Sequence, residues 1–187
     1  RAERLHRGGD LQVFETDKAF LAADATRRIR RDHGIRVEVL DANQVRELEP
    51  GLSATVKHGA FLPDAYQTIS PQRLVEGLAG HFAASGGPIV RAKIDDIRSR
   101  GGCEQVEVCA GGRSIIFDSI VLALGAYSKP WAKRFGDDVP LDSERGYHVM
   151  LPRPGVTLNR AVISGEYRFA LSPISGGIRV AGTAELA

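Results

Sequence analysis

The sequence has little sulfur to spend on cross-links. Its two cysteines are Cys103 and Cys109, and both fall in one expected strand. Six residues at about 3.3 Å each separate them by roughly 20 Å, too far for a disulfide within that strand. A reducing compartment fits this. The five histidines and two cysteines show no ligand spacing, so no metal centre is expected. No apolar run approaches the roughly 18 residues needed to span a membrane, and no secretory leader pattern occurs. An excess of one charge sign is missing too. The formal net charge is +2, so nucleic acid is not an expected partner. No Ser-His-Asp set or paired-carboxylate constellation is found. The first residue is Arg1 rather than Met, giving the expectation of an excised piece of a longer protein.

What is there is ordinary globular composition, with 43% hydrophobic and 26% charged residues, enough for one large or two small domains. Arg27, Arg28, Arg30 and Arg31 are interleaved with Asp24 and Asp32 near the end of an expected helix. There positive charge suits the helix dipole, and the cluster reads as a solvated helix face.

The pivot is the apolar run Ile120, Val121, Leu122, Ala123, Leu124, stopped by Gly125. Such a run fits a strand buried on both faces, or a short buried helix. Its length, its β-branched start and its glycine stop favour the strand. The small pair Gly125-Ala126 would let something approach the backbone closely. In open α/β sheets, that carboxyl end is where ligands sit. The plain alternative is a buried strand ending in a turn.

Local signals order the rest. Alternation predicts strands over 11–16 and 35–40. Thr16 and Asp17 open a helix whose face carries Leu21, Ala25 and Ile29, with Gly34 as its stop. Asp41 and Gln44 form a capping-box start, and Pro50-Gly51 ends that short helix. Ser70 caps a helix that begins at Pro71, runs to Ser85 and carries Leu74, Val75, Leu78, Ala79 and Phe82 on one face; Gly86-Gly87 ends it. A strand is expected to start over 88–91. Runs over 94–97, 104–109 and 114–117, broken by Gly101-Gly102 and Gly111-Gly112, predict an antiparallel meander. Residues 166–173 and 177–182 look like a hairpin.

The segments VLALGAYSKPWAKRFG and VPLDSERGYHVMLP, in this order, resemble the second half of an FAD-dependent amino-acid oxidoreductase. The resemblance is to the D-amino-acid dehydrogenase branch of the family that includes D-amino-acid oxidase, glycine oxidase and sarcosine oxidase. It extends from LQVFET to GIRVAGTAEL and rests on the order of motifs rather than on any one. In that family the stretch matching Ala123-Leu124-Gly125-Ala126 is usually Ala-Thr/Ala-Gly-Ala and runs beside the flavin. Leu124 departs from it, mildly if the contact is through backbone. Pro63-Asp64 matches a family Pro-Asp-Gly segment in which Ala65 replaces Gly, and Ser70-Pro71 replaces Asp-Pro. The position of Ile94 implies a backbone contact to the adenine, with a plain core residue as the alternative.

The family's Gly-x-Gly-x-x-Gly turn, which seats the pyrophosphate at a helix N-terminus, does not occur here. GDDVP and GGIRVAG have the wrong spacing. The resemblance therefore implies a middle piece: substrate-binding domain over 1–69 and 137–187, and part of the FAD domain over 70–136. The expected fold is α+β, a mixed, largely antiparallel sheet with helices on one side, plus a helix and β-meander lobe. The isolated piece is expected neither to hold FAD tightly nor to turn over.

The implied chemistry is oxidation of an amino acid at Cα by hydride transfer to flavin, giving an imino acid that water converts to a 2-oxo acid and ammonia. Such a substrate needs its carboxylate fixed, and Arg does this through a fork that Lys cannot copy. Arg145 is the expected anchor. Tyr147, two residues on, shares its strand face and can add a hydroxyl, whereas Glu144 and His148 point the other way. His148 is a weaker substrate-side candidate. Tyr66 is a candidate for the pocket wall. Tyr167 and Arg168 are lesser candidates, with ordinary strand surface as the alternative. A small amino acid is the expected partner, in the cytoplasm, with a peripheral inner-membrane setting if a quinone takes the electrons. The alternatives are a flavin oxidase of N-methylated or cyclic amino acids, and a non-catalytic binding module.

Overall fold

The computed structural model describes residues 5–100 and 105–186. The expected Gly101-Gly102 break, Cys103 and Glu104 lie outside the described residues. The chain separates into two units. One runs to Leu78 and resumes over Arg145–Glu185; the other spans Ala79–Glu144.

In the first unit, alternation along β1 (Asp10–Phe14) sends Leu11 and Val13 to one face and Gln12 and Phe14 to the other. Thr16 caps α1 (Asp17–Ala22) by accepting from the Ala19 N–H at 3.2 Å. The chain turns at Ala23 into α2 (Asp24–Asp32). It continues through β2 (Glu38–Asp41), α3 (Ala42–Leu48) and β3 (His58–Leu62) to α4 (Pro71–Ala84), which crosses the boundary between the units. The capping box over Asp41 and Gln44 is complete, with both reciprocal bonds made. Ser70 Oγ accepts from the Arg73 N–H at 3.3 Å, as its position before Pro71 implies.

The second unit carries β4 (Asp96–Arg100), β5 (Gln105–Ala110), β6 (Arg113–Phe117) and α5 (Ser128–Arg134). The chain then adds β7 (Glu144–Leu151), β8 (Ala161–Ser164), β9 (Ala170–Ile174) and β10 (Gly177–Leu186). A seven-stranded sheet results, ordered β2-β3-β1-β8-β9-β10-β7. The β1–β8 pair is parallel, while β1–β3, β2–β3, β8–β9 and β9–β10 are antiparallel. This is the expected mixed, largely antiparallel α+β fold.

Register gives each face of the sheet its character. Leu11, Val162, Leu171 and Val180 are partners across four strands. They pack with Leu40, Val45 of α3, Val56, Leu158 and Ile178 as the core. The adjoining row, Gln12, Ile163, Ala170 and Ala181, faces the opposite way. Over that face Phe20 of α1 meets Phe14 edge-on at 5.4 Å, and Arg30 of α2 reaches Gln12 at 3.5 Å. The helices thus divide between the faces, α3 on one and α1–α2 on the other, where the expectation put helices on one side.

One corner of the arginine cluster departs from expectation. Arg28 and Arg31 are exposed, but Arg27 is 3% exposed. The break at Ala23 leaves the Phe20 carbonyl within reach, and Arg27 Nη1 donates to it at 2.8 Å. Its guanidinium lies 3.9 Å from the Phe20 ring centroid, where cation–π attraction and the planar shape favour burial. Leu21 and Ile29, expected on a packed helix face, are exposed instead.

In the second unit the meander forms as expected, ordered β4-β5-β6 with antiparallel pairs. Gly111 and Gly112 turn it at φ 56° and 76°, conformations that favour glycine. Asp96 binds this sheet to α5, accepting from Arg134 Nη1 at 2.5 Å and from Arg98 Nε at 2.6 Å. These two cations pull the Asp96 carboxyl down to about 2.

Two strand expectations fail here. Residues 88–91 form no strand. Nor does the run 120–124, and Val121 is 87% exposed. A strand buried on both faces needs hydrogen-bonding neighbours along its edges, and no described strand pairs with this run. Its side chains line an open cleft instead. The apolar stripe of α4 is likewise uncovered, with Val75, Leu78 and Phe82 all exposed.

Candidate functional site

Alternation along β7 puts Arg145 and Tyr147 on one face, and both reach Glu185 on neighbouring β10. The Tyr147 hydroxyl donates to Glu185 Oε2 at 2.6 Å, and Arg145 Nη1 donates to Oε1 at 3.4 Å. One carboxylate is therefore shared between a guanidinium and a phenol, an oxygen to each. Arg145 and Glu185 are 60% and 51% exposed, and an ion pair in such a setting is worth about 0–1 kcal/mol. It opens easily. His148 is exposed on the same strand, where alternation turns it to the opposite face.

On the α1–α2 side of the sheet a cleft of about 700 Å³ opens over the row Gln12, Ile163, Ala170 and Ala181. Alanine at two of these four positions leaves the floor low. Ala19 and Ala22 of α1 form part of the wall, and Glu166 and Arg168 another part. Glu166 secures the start of α1: its Oε1 accepts from the N–H groups of Glu15 and Thr16, each at 2.9 Å, and from Thr16 Oγ1 at 3.1 Å. A carboxylate there complements the positive end of the helix. Its Oε2 is buried without a partner.

Tyr167 and Arg168 were expected on a strand, yet they lie in the connection between β8 and β9. Ser164 dictates this. Its N–H donates to the Phe169 carbonyl at 2.9 Å, its carbonyl accepts from Arg168 N at 3.0 Å, and its Oγ accepts from Tyr167 N at 3.2 Å. The closed loop puts Arg168 at φ 55°, in the left-handed region. Tyr167 is 64% exposed and stacks near Phe169, ring centroids 6.0 Å apart. Tyr66 is 61% exposed, with the Arg7 guanidinium 5.8 Å from its ring centroid. Arg168 is among the cleft residues; Arg145, Tyr147, Glu185, Tyr66, Tyr167 and His148 are not.

In the second unit, Ile94 and Leu124 line one apolar cleft of about 670 Å³ together with Ile97, Val121 and Trp131. Gly125 follows at φ 57°, opening the short 3-10 turn Gly125–Tyr127, and a side chain added there would meet nothing within 4 Å. Ala123 and Ala126 are exposed beside it. Open backbone at Gly125 next to an apolar cleft fits a group that is met through main chain and apolar surface.

Sequence reasoning missed Glu185, Glu166 and Gln12. Glu185 and Gln12 continue the alternation of their strands, so their faces were readable, but their neighbours depend on pairing between distant segments.

A family model described as "DAO: FAD dependent oxidoreductase" matches residues 2–187. The chain is 32% identical over 185 residues to a D-amino-acid oxidase of Bradyrhizobium diazoefficiens, covering 99% of this chain and 44% of that protein. It is 30% identical over 197 residues to a D-amino acid dehydrogenase of Vibrio cholerae, covering 96% and 44%. Among solved structures, glycine oxidase from Bacillus cereus superposes with a TM-score of 0.79 at 22% identity, covering 97% of this chain and 49% of that one. The chain thus spans less than half the length of the curated relatives it matches.

Proposed function

Because this chain belongs to the FAD dependent oxidoreductase family, we propose that the whole protein oxidises a D-amino acid at its α-carbon. The observation that carries the reading is the convergence of Arg145 and Tyr147 on one carboxylate, since a carboxylate is what every amino-acid substrate presents. The relatives named as a D-amino-acid oxidase and a D-amino acid dehydrogenase support the choice of substrate class.

FAD, where bound, would supply a two-electron acceptor: a hydride would leave Cα and a proton the amine nitrogen, and water would hydrolyse the resulting imine to 2-oxo acid and ammonia. This chain's own residues bind and orient. Arg145 takes the substrate carboxylate as a charge-assisted pair, and Tyr147 adds a directional hydroxyl. The cleft over Ala170 and Ala181, with Arg168 at its wall, opens on the same face of the sheet as this cluster. Tyr66 and Tyr167 are exposed, His148 lies on the opposite face of β7, and the three take a lesser part. On the cofactor side, Ile94, Ala123, Leu124, Gly125 and Ala126 are the residues that would hold FAD, through backbone and apolar contacts. The assignment of 1–69 and 137–187 to substrate and 70–136 to cofactor belongs to the same reading. Oxygen or a quinone would serve as the final electron acceptor, the latter at the inner-membrane surface. No helix among the described residues is long and apolar enough to cross a membrane.

The test uses the full-length, flavin-loaded protein mixed anaerobically with paired D- and L-amino acids. Bleaching of the flavin by D-amino acids is the expected result. Bleaching by L-amino acids alone, or by none, would refute the reading. Arg145→Lys keeps the charge but loses the fork, a change in a charged hydrogen bond worth about 1.5–3 kcal/mol. The KM should therefore rise roughly tenfold or more.

A further inference from the structure

Glu185 is the unexplained member of the β7–β10 cluster. It lies on the same face of β10 as Ala181, four residues and about 13 Å along the strand. It occupies both donors, Arg145 and Tyr147, that the amino-acid reading assigns to substrate. A ligand that were only a carboxylate would have to displace Glu185 and then face its negative charge. An α-amino acid does not meet that opposition. It carries an ammonium one carbon away from its carboxylate, so a ligand taking Arg145 from Glu185 brings a cation to the carboxylate it displaces. The cluster of one guanidinium, one phenol and one carboxylate sums to zero charge, as does a zwitterion. The half-exposed Arg145–Glu185 pair is weak enough to exchange in this way.

We infer that Glu185 binds the ammonium of the substrate while Arg145 and Tyr147 bind its carboxylate, so that the site selects zwitterions over simple carboxylates. This rests on the amino-acid reading above. Within it, Glu185 changes role between the two states: partner of Arg145 before binding, partner of the substrate nitrogen afterwards.

The experiment compares wild type, Glu185→Gln and Glu185→Ala in the full-length, flavin-loaded protein. Turnover is measured with D-alanine, D-valine, D-leucine and D-phenylalanine, and propanoate binding is followed by the shift of the flavin absorbance band. Glu185→Gln should raise the KM of the best substrate at least tenfold while propanoate binds as tightly or more tightly, because its donors are freed. Glu185→Ala should do the same. A KM within twofold of wild type in both variants overturns the inference. So does equal weakening of propanoate and substrate, which would make Glu185 a brace for the strand edge. If wild type turns over none of the four D-amino acids, the substrate reading itself falls and takes this assignment with it.

Discussion

Removing Glu49 tests the account of how the first unit holds its shape. Glu49 is fully buried, just after α3. Arg160 Nε donates to its Oε1 at 2.7 Å, and the Asn159 N–H donates to both oxygens at 3.1 and 3.0 Å. Arg160 is itself only 14% exposed. It also donates from Nη1 to the Gly8 carbonyl at 2.8 Å, and its guanidinium sits 5.2 Å from the Phe61 ring centroid. One ion pair therefore joins the end of α3, the approach to β1 and the approach to β8. Glu49→Ala strands a buried guanidinium and leaves the Asn159 N–H unmet. Breaking one partner of such a pair costs about 3–5 kcal/mol. Glu49→Gln keeps the shape and an acceptor but loses the charge, for about 1.5–3 kcal/mol. Replacing both partners by apolar groups, Glu49→Leu with Arg160→Met, should cost much less than the sum of the single changes, because no charge is left unpaired. Urea denaturation measures wild type, Glu49→Ala, Glu49→Gln, the single changes Glu49→Leu and Arg160→Met and their double variant, with a constant m-value as the check on two-state behaviour. A loss under about 1 kcal/mol for Glu49→Ala, or strict additivity in the double variant, would refute the reasoning.

Two carboxylates give opposite pH signatures. Asp96 has a folded-state pKa lowered to about 2 by Arg134 and Arg98, so its contribution is present above pH ~4, the unfolded value, and disappears as pH falls towards 2. The difference in melting temperature between wild type and Asp96→Asn should shrink across that window, and a difference unchanged from pH 7 to pH 2 would contradict the role of the two arginines. Asp10 is shifted upwards because burial disfavours its charge, with Arg30 only partly offsetting it. Its Oδ1 is buried without a partner. Its ionisation therefore costs stability as pH rises past the folded value. Asp10→Asn should raise the melting temperature at pH 7, with the gain fading below about pH 4; a lower melting temperature at pH 7 would count against it.

The readable parts of this fold were those whose cause lies within a few residues. Thr16, the Asp41–Gln44 box, and Ser70 before Pro71 each bond a backbone group two or three positions away, so composition at those positions suffices. The meander was readable for the same reason, since Gly111-Gly112 sits directly between its strands. The run 120–124 was not. Apolar character says that a segment prefers to leave water, but strand formation also needs a neighbour to receive its hydrogen bonds, and pairing is not a local property. Arg27 illustrates the converse. Its charge argued for solvent, but the Phe20 carbonyl, the Phe20 ring and the Asp24 carboxylate, 3.4 Å away, meet that charge in the interior.

The candidate site divides along the same line. That Arg145 and Tyr147 share a face follows from a period of two and needs no fold. That they meet Glu185, 40 and 38 positions later, follows from β10 lying between β9 and β7. No local window contains that fact. The consequence is chemical: the sequence proposes a cation for a carboxylate, and only strand order shows that this cation already has one. A site built in this way cannot be tuned at Arg145 alone. Any substitution at Glu185 changes what Arg145 is paired with before substrate arrives. Effects of the two positions on substrate affinity should therefore be non-additive, and a double-mutant cycle of Arg145→Lys with Glu185→Gln measures this directly. Additive effects on KM would mean that the two side chains act independently, and that their contact has no part in binding.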